Sequence, residues 1–374
     1  MDTKIASANK RAMDSSEKIL FHPEWLSIWK TSPYYAFPIY MEISPVGYCN
    51  HRCKFCAFDY LGYGKDKLDK NIIIERIGEM ARMGVKAIQF AGEGEPLLHP
   101  DLAEIMINTR KCGAEISMLT NGVAMSSRFI EQALGSITWF QTSIDAGKKE
   151  SYAKIHGTRS DDFQKVTNNL KYAVSYRNKH MLDCEIGAQM LLIPENYMEA
   201  VELAKILVDI GVDYFTLKPY SHHPLSAHND IISGNNFYQK IIEVENEIKN
   251  VVSGLIEVDF RKTAMKEIES TRTYERCYST PTAWGYLTSK GDLYSCSAYL
   301  GDERFLLGNI YQESFKRIWY GERRKEHLLC MEGFDVEKNC RRVCRMNRTN
   351  ETLYELRQGK KIIPVEKPGR VNFI

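Results

Sequence analysis

Three cysteines lie close together at positions 49, 53 and 56, in the spacing C-x3-C-x2-C. They follow an apolar run, residues 37–43, which predicts a buried strand. Three thiolates on one short loop can bind one side of a metal ion or an iron–sulfur cluster, but they do not complete the four-ligand site of structural zinc. Ferredoxin clusters use four cysteines in tighter spacing. The loop therefore predicts a [4Fe–4S] cluster with one iron left open; a zinc loop or three incidental buried thiols are the alternatives.

Phe55 occupies the aromatic position of C-x3-C-x-aromatic-C, and this motif resembles that of the radical S-adenosylmethionine (radical SAM) superfamily. In that family the amino and carboxylate groups of SAM chelate the open iron. One electron from the cluster then cleaves the sulfonium to give methionine and a 5′-deoxyadenosyl radical. The resemblance implies that Cys49, Cys53 and Cys56 ligate the cluster and that Phe55 lies beside the cofactor. It also implies an electron donor such as flavodoxin or ferredoxin.

Composition excludes several other classes of function. The chain has 374 residues and a net charge of +2, which gives no electrostatic footprint for nucleic acid. No apolar run reaches the length of a membrane span, and residues 1–18 lack the apolar core of a signal peptide. The ten cysteines form groups typical of metal ligands rather than a disulfide framework. We therefore expect a cytoplasmic protein with neither a membrane nor a nucleic acid as partner.

Strand and helix patterns alternate from residue 37 onward, which predicts a parallel sheet with helical crossovers. The resemblance sharpens this to a partial (β/α)6 TIM-like barrel followed by a small α+β, cysteine-rich domain. The expected domains are a lead-in at 1–36, the barrel at 37–233, and a linker with the second domain at 234–374. Six strands are expected at 37–43, 86–90, 115–119, 139–144, 185–193 and 214–217. Right-handed crossovers would place the loops after these strands on one rim.

Motifs on these loops match the cofactor-binding motifs of the family. The sequence 91–96 looks like its Gly-Gly-Glu-Pro motif, with Glu95 as the acidic residue and Glu93 in place of a usual glycine. Residues 142–146 look like its Ser-Ile-Asp-Gly signature, with Ala146 in place of the glycine. A strand-ending polar turn is the alternative for the loops after strands three and four. The residues that the resemblance assigns to the cofactor are Phe55, Gly92, Gly94, Glu95, Asn121, Ser143, Asp145 and Gln189.

Polar side chains at the end of the sixth strand are candidates for proton transfer. Lys218, His222 and His223 lie at the predicted mouth of the barrel, where they could donate hydrogen bonds, and a neutral histidine can act as a base. An ordinary polar loop is the alternative.

Five more cysteines lie in the last third of the chain. Cys277, Gly291 and Cys296 follow the C-x(9–15)-G-x4-C opening of the SPASM and twitch domains, and a strand pair around residues 289–292 would bring the two cysteines together. The resemblance implies one auxiliary [4Fe–4S] cluster on Cys277, Cys296, Cys340 and Cys344, with zinc as the alternative. Cys330 is either another ligand or a free thiol, and Cys112 and Cys184 are expected to be buried thiols.

The expected activity is abstraction of hydrogen from an unactivated C–H bond. Relatives with twitch domains act on sugars, nucleosides and aminocyclitols, so we expect a carbohydrate-like small molecule and oxidation of a secondary alcohol. In that reaction the auxiliary cluster would take an electron and His222 or His223 a proton. Epimerisation, with a thiol such as that of Cys330 as hydrogen donor, and maturation of a ribosomal peptide are the alternatives. A non-enzymatic iron–sulfur or zinc protein is a more remote one.

Overall fold

The computed structural model describes residues 18–223, 225–227, 237–362, 367 and 369–374. Within them the chain folds as a partial α/β barrel with a smaller α+β domain attached to its edge. The strands are β1 (Tyr40–Ile43), β2 (Ala87–Phe90), β3 (Glu115–Thr120), β4 (Trp139–Ser143), β5 (Glu185–Leu192), β6 (Tyr214–Pro219), β7 (Glu257–Phe260), β8 (Trp284–Leu287), β9 (Asp292–Tyr294) and β10 (Leu306–Asn309).

Helices follow most of the parallel strands and make up much of the second domain. They are α1 (Pro23–Thr31), α2 (Lys70–Met83), α3 (Leu102–Lys111), α4 (Ser127–Ala133), α5 (Lys149–His156), α6 (Asp161–His180), α7 (Ala200–Ile210), α8 (Phe237–Val252), α9 (Lys262–Glu269), α10 (Phe315–Trp319), α11 (Glu322–Glu332), α12 (Val336–Asn339) and α13 (Asn347–Arg357). The bounds of the six predicted strands agree with those of β1 to β6 to within three residues.

All the strands belong to one sheet, in the order β10-β9-β8-β1-β2-β3-β4-β5-β6-β7. Strands β1 to β6 run parallel, as predicted, and β7 and β8 also pair in parallel with β6 and β1. The predicted strand pair of the second domain is confirmed as the antiparallel hairpin of β8 and β9. Sequence analysis missed β7 and the pairing of β8 with β1. Both strands have only four residues, and β7 is half-buried, so neither forms a long apolar run.

Local sequence explains why the helices begin and end where they do, and α2 is a clear case. The Asp69 carboxylate caps its first turn by accepting hydrogen bonds from the backbone N–H groups of Asn71 and Ile72, at 2.9 and 3.0 Å. Gly84 ends it in the left-handed conformation, with φ +115°. Its buried residues, which include Ile77, pack into the same core as the strands. Helices that cover the parallel sheet in this way leave its carboxyl-end loops free to build a site.

Two segments from the end of the chain close the lumen of the barrel. At the amino ends of the strands, the Phe373 ring contacts Tyr40 and Trp139 edge-on, with ring centroids 5.8 and 5.4 Å apart. On the open side, Arg345 forms an ion pair with Glu42 of β1. Arg348, three residues later, lies 3.6 Å from Glu267 of α9. The lumen is therefore accessible mainly from the rim.

The lead-in segment packs on both parts of the chain. Trp25 and Trp29 of α1 are buried against Ile39, Ala283 and Leu353, which belong to the barrel and to the second domain. Helix α1 therefore joins the two. The domain bounds at 36 and 233 stay predictions, and residues 1–17 and 228–236 lie outside the described residues. Across the part of the chain that the structure describes, no helix is both long and apolar enough to span a membrane.

Two glycines that follow helices provide a test of this packing. Both have positive φ, +115° for Gly84 and +88° for Gly113, so alanine at either position costs about 1–2 kcal/mol of backbone strain. A Cβ on Gly84 would also lie 2.3 Å from the Phe37 ring, whereas nothing lies within 4 Å of one on Gly113. We expect Gly84→Ala to lower the free energy of unfolding by about 1–3 kcal/mol more than Gly113→Ala, measured by urea denaturation. Equal losses would contradict this packing.

Candidate active site and auxiliary metal centre

The loop that follows β1 carries the three cysteines across the carboxyl ends of the strands. The Cys49 thiol accepts a hydrogen bond from the His51 backbone N–H at 3.4 Å, and Cys56 N donates to Cys53 O at 3.1 Å. Burial raises the pKa of all three thiols, and the charges of neighbouring cysteines add to the effect at Cys49 and Cys53; the pKa of Cys49 is about 12. Thiolates held together in this way require a cation to offset their charge. The donor set therefore fits one side of a metal cluster.

The loop after β2 lies directly against the cysteine loop. A Cβ on Gly94 would lie 2.3 Å from Val46 O and 2.5 Å from Tyr48 O, so only glycine allows the two backbones to approach this closely. The Glu95 backbone N–H donates to Tyr48 O at 2.9 Å. Gly92 has φ +117° and also lacks space for a side chain. The two glycines predicted from the sequence thus fix the position of the cysteine loop.

Glu95 links the loops after β2 and β3. Its buried carboxylate accepts hydrogen bonds from the Thr120 hydroxyl at 2.5 Å, the Asn121 N–H at 2.7 Å and the Leu97 N–H at 3.0 Å. The Asn121 side-chain amide in turn donates a hydrogen bond to the side-chain oxygen Oδ1 of Asn50 at 2.7 Å, beside Cys49. Direct contact of Glu95 and Asn121 with SAM stays a prediction, but both residues lie where they can support it.

Asp145 and His156 connect the end of β4 to the cysteine loop. The Asp145 carboxylate accepts a hydrogen bond from the Leu191 N–H at 2.5 Å and lies 3.2 Å from His156 Nε2. The other ring nitrogen of His156 lies 3.3 Å from the Cys53 sulfur. Phe55 packs edge-on against the same ring, with centroids 6.1 Å apart. Ser143 is half-buried at the end of β4. Sequence analysis missed His156 because it lies about a hundred residues from the cysteine that it contacts.

His51, Cys53 and His156 form a second possible metal group. Their ligand atoms lie within 4.8 Å of one another, close enough for one ion. This group shares Cys53 with the three-cysteine loop, so the two metal sites exclude each other. It also leaves Cys49 and Cys56 unused, and His156 is already engaged by Asp145. The three-cysteine set accounts for more of the buried thiols.

A cavity of about 160 Å³ lies inside the barrel below this rim. Gln189 of β5 and Lys218 of β6 both line it, as does Gln141 of β4. Burial, together with the positive charges of neighbouring arginines, lowers the pKa of Lys218 to about 8. Lys218 is thus a predicted site residue that the structure places against the lumen.

The two histidines after β6 lie elsewhere. His222 is exposed and lies 3.3 Å from the Tyr220 hydroxyl. His223 is buried and stacks on Tyr60, with centroids 5.2 Å apart, and its Nδ1 accepts a hydrogen bond from the Leu225 N–H at 3.2 Å. Burial lowers the pKa of His223 to about 4, so it is neutral near pH 7. Neither lines the lumen cavity, because the chain turns away from the barrel axis after Pro219. The geometry therefore does not favour either one as the base.

The second domain gathers four cysteines. Burial raises the pKa of the Cys296, Cys340 and Cys344 thiols, and the charges of other cysteines in the group, Cys277 among them, add to this effect. Together these causes raise the pKa of Cys340 to about 12. The Cys277 sulfur also accepts a hydrogen bond from the Asn350 amide at 3.5 Å. Four thiols with mutual electrostatic interaction supply the ligands of one cluster.

Cys330 does not join this group. It is exposed on α11, whereas the four cysteines of the group are half-buried. Cys184 is buried, as predicted, but Cys112 is exposed at the end of α3. The structure therefore offers no reason to count Cys330 as a ligand, and the role given to it from the sequence stays an untested prediction.

Glu93 is a further residue whose role sequence analysis missed. Its carboxylate accepts a hydrogen bond from the Ser289 N–H at 2.7 Å, in the turn between β8 and β9. A glutamate at the position of a usual glycine therefore attaches the rim to the second domain. The sequence around Glu93 does not indicate this contact, because Glu93 and Ser289 are 196 positions apart.

Two relatives align with most of this chain. It is 22% identical over 302 residues to the tungsten-containing aldehyde ferredoxin oxidoreductase cofactor-modifying protein of Pyrococcus furiosus, covering 76% of this chain and 81% of that protein. It is 27% identical over 233 residues to a probable GTP 3′,8-cyclase of Methanocaldococcus jannaschii, covering 61% of this chain and 72% of that protein.

Solved structures confirm the fold. The Streptococcus suis protein SuiB, bound to its precursor peptide SuiA, superposes with a TM-score of 0.62 at 14% identity, over 81% of this chain and 69% of that one. Native anSMEcpe with bound AdoMet superposes with a TM-score of 0.57 at 16% identity, over 86% of this chain and 98% of that one.

The placement of the cysteines in the second domain generates a prediction on metal content. Two [4Fe–4S] clusters correspond to about eight irons per chain. We expect Cys340→Ser to reduce this to about four, because one auxiliary ligand is lost, and Cys330→Ser to retain about eight, as measured by iron analysis after anaerobic reconstitution. Equal loss of iron from both variants, or zinc in place of the auxiliary iron, would contradict the assignment.

Two family models match the regions that carry the cysteines. The model of the radical SAM superfamily matches residues 43–207, and that of the SPASM iron–sulfur cluster-binding domain matches residues 277–345. The first region contains the three-cysteine loop, whose thiols are the ligands of the [4Fe–4S] cluster that binds SAM. The second region contains the four-cysteine group, whose thiols are the ligands of an auxiliary cluster. The chain belongs to the radical SAM superfamily and carries a C-terminal SPASM-type domain.

Proposed function

We propose that this radical SAM enzyme reductively cleaves SAM and abstracts a hydrogen atom from a small molecule that is bound in the lumen of the barrel. The observation that carries the proposal is the cavity of about 160 Å³ directly below the cysteine rim. Its lower end is closed by Phe373, which contacts Tyr40 and Trp139. A substrate group in this cavity would face the rim and would be shielded from water.

The side chains of the rim would hold the reacting groups in a fixed geometry. The cluster and SAM, when bound, supply the 5′-deoxyadenosyl radical. Cys49, Cys53 and Cys56 would hold the cluster, and the hydrogen bonds from Glu95 to Thr120 and Asn121 keep the neighbouring loop in place. A site of this kind accelerates the reaction mainly by orientation, because the cofactor carries the difficult chemistry.

A small-molecule substrate is supported by the closed lumen and by the names of relatives. Besides the cyclase described above, the chain is 30% identical over 112 residues to an S-adenosylmethionine-dependent nucleotide dehydratase of Lacinutrix mariniflava, so two relatives are named for nucleotides. The carbohydrate-like substrate and oxidation of a secondary alcohol stay predictions, since the relatives described here are not named for that reaction. An electron donor such as flavodoxin or ferredoxin and a cytoplasmic location also stay predictions.

The position of candidate proton and hydrogen donors bears on the choice between oxidation and epimerisation. Lys218 lines the lumen, so its Nζ could contact the substrate and move a proton. Cys330 and Cys112 are exposed, and Cys184 is buried outside the lumen lining. Within the described residues, the thiols outside the two ligand groups do not line the cavity, so oxidation is better supported than epimerisation by a thiol donor.

A peptide substrate is the second candidate, and an open groove favours it. This groove of about 740 Å³ lies between the cysteine loop and the second domain, and it is lined by Tyr60, Leu225, Tyr299 and Arg341 among others. It could accommodate an extended segment that reaches the rim from the side. The fold shared with peptide-bound SuiB is compatible with such an arrangement.

The test of the proposed function is SAM cleavage by the anaerobically reconstituted, reduced enzyme. We expect the wild type to form 5′-deoxyadenosine and Cys53→Ala to form none, because the cluster loses a ligand. The matched control is Cys112→Ala, which removes an exposed thiol at the end of α3 and should leave cleavage unchanged. Formation of 5′-deoxyadenosine by Cys53→Ala at the wild-type rate, measured by chromatography, would overturn the proposal.

A further inference from the structure

The charged side chains that line the cavity inside the barrel are all basic. Among the described residues, the lining contains no aspartate and no glutamate side chain. The basic residues are Lys18, Lys218, Arg261, Arg345 and Arg348. A concave site lined by one sign of charge concentrates ligands of the opposite sign.

Carboxylates outside the lining lie against three of these basic side chains. Glu42 pairs with Arg345, Glu351 lies 2.7 Å from Arg348, and Asp259 lies 3.6 Å from Arg261. For Lys218, the described residues supply neither an ion-pair partner nor a hydrogen-bond acceptor, and its ammonium group faces the cavity. The lowering of its pKa to about 8, caused by burial and then by Arg261 and Arg345, agrees with an excess of positive charge at this point.

Neutral donors line the same cavity. Gln89 and Gln141 are each 3% exposed, and their side-chain amide nitrogens have no hydrogen-bond partner in the described part of the chain. The Gln89 carbonyl oxygen lies 3.5 Å from the Ser117 hydroxyl, which leaves the amide N–H₂ as its free end. The buried Thr216 hydroxyl is also without a partner there. Buried donors without acceptors have lost their hydrogen bonds to water, so a ligand that supplies oxygen acceptors would remove this penalty.

We propose that the lumen binds an oxyanion of the substrate, a phosphate or a carboxylate, with Lys218 as its central contact. This inference rests on the proposed function, since it names the substrate class for the same site. The carboxylate of SAM does not explain the site, because the rim residues Glu95, Ser143 and Asp145 are not part of the cavity lining.

The size of the cavity limits what the oxyanion is attached to. Small-molecule sites generally enclose about 300–1,000 Å³, whereas this cavity encloses about 160 Å³. It therefore holds one end of the substrate. The oxyanion would be anchored in the lumen beside Lys218, and the carbon that reacts would extend towards the cysteine loop.

Calorimetric titration of the anaerobically reconstituted, SAM-saturated enzyme tests the inference. The probes are pyrophosphate and the tricarboxylate tricarballylate, added separately at fixed ionic strength. We expect at least one of them to bind. We also expect Lys218→Gln to weaken that binding about tenfold or more, since a hydrogen bond to a charged group contributes about 1.5–3 kcal/mol. Lys205→Gln removes the same charge from an exposed position on α7 and should change the Kd less than about twofold.

A second variant keeps the test decisive if Lys218→Gln fails to fold. Gln141→Leu removes a neutral donor of similar size and should weaken binding about threefold or more. Preference for pyrophosphate identifies a phosphate-bearing substrate, and preference for tricarballylate identifies a carboxylate. Absence of binding by both probes, or binding that the cavity variants leave unchanged, overturns the inference. Formation of 5′-deoxyadenosine by the same wild-type preparation shows separately whether the proposed function stands.

Discussion

The burial of three thiols close together on a short loop is the constraint on which the site depends. Burial favours the protonated form of Cys49, Cys53 and Cys56, and neighbouring sulfurs add to this at Cys49 and Cys53. A cation that is bound by all three reverses this preference. The surrounding structure holds the loop ready for that cation: Gly94 allows the loop after β2 to lie against it, and His156 contacts Cys53 from α5. The protein therefore fixes the positions of the ligands before the metal supplies the compensating charge.

The second domain is attached to the rim and to the barrel by different kinds of contact. Main-chain pairing of β8 with β1 makes the two regions one sheet. The Glu93 carboxylate accepts a hydrogen bond from the Ser289 N–H, in the turn of the β8–β9 hairpin. The ion pair of Arg345 with Glu42 of β1 adds a contact on the open side of the barrel. The auxiliary cysteines on either side of that hairpin are thus held in a fixed position relative to the barrel. Such rigidity suits a site in which an electron must leave or enter at a set distance from the substrate.

Features that depend on neighbouring residues could be predicted from the sequence, and features that depend on distant contacts could not. The cysteine spacing, the glycines of the β2 loop and the six parallel strands each leave a local pattern. The contact of His156 with Cys53 and that of Glu93 with Ser289 leave none, because each joins segments far apart in the chain. Lys218 was expected at the mouth of the barrel together with His222, but the alternation of β6 directs the lysine into the lumen while the loop carries the histidine outward.

The pairing of β8 with β1 has a consequence for how the protein is made. Tyr40 pairs with Trp284, so the edge of β1 stays uncovered on the ribosome until residue 284 has emerged. Lys18 likewise bonds to Phe373, 355 positions away, so the lower end of the lumen closes only after both segments have emerged. A long-lived open edge in a parallel sheet invites association between nascent chains. The arrangement that gives the finished enzyme a closed, rigid lumen thus leaves the β1 edge open to such association while the chain is being made.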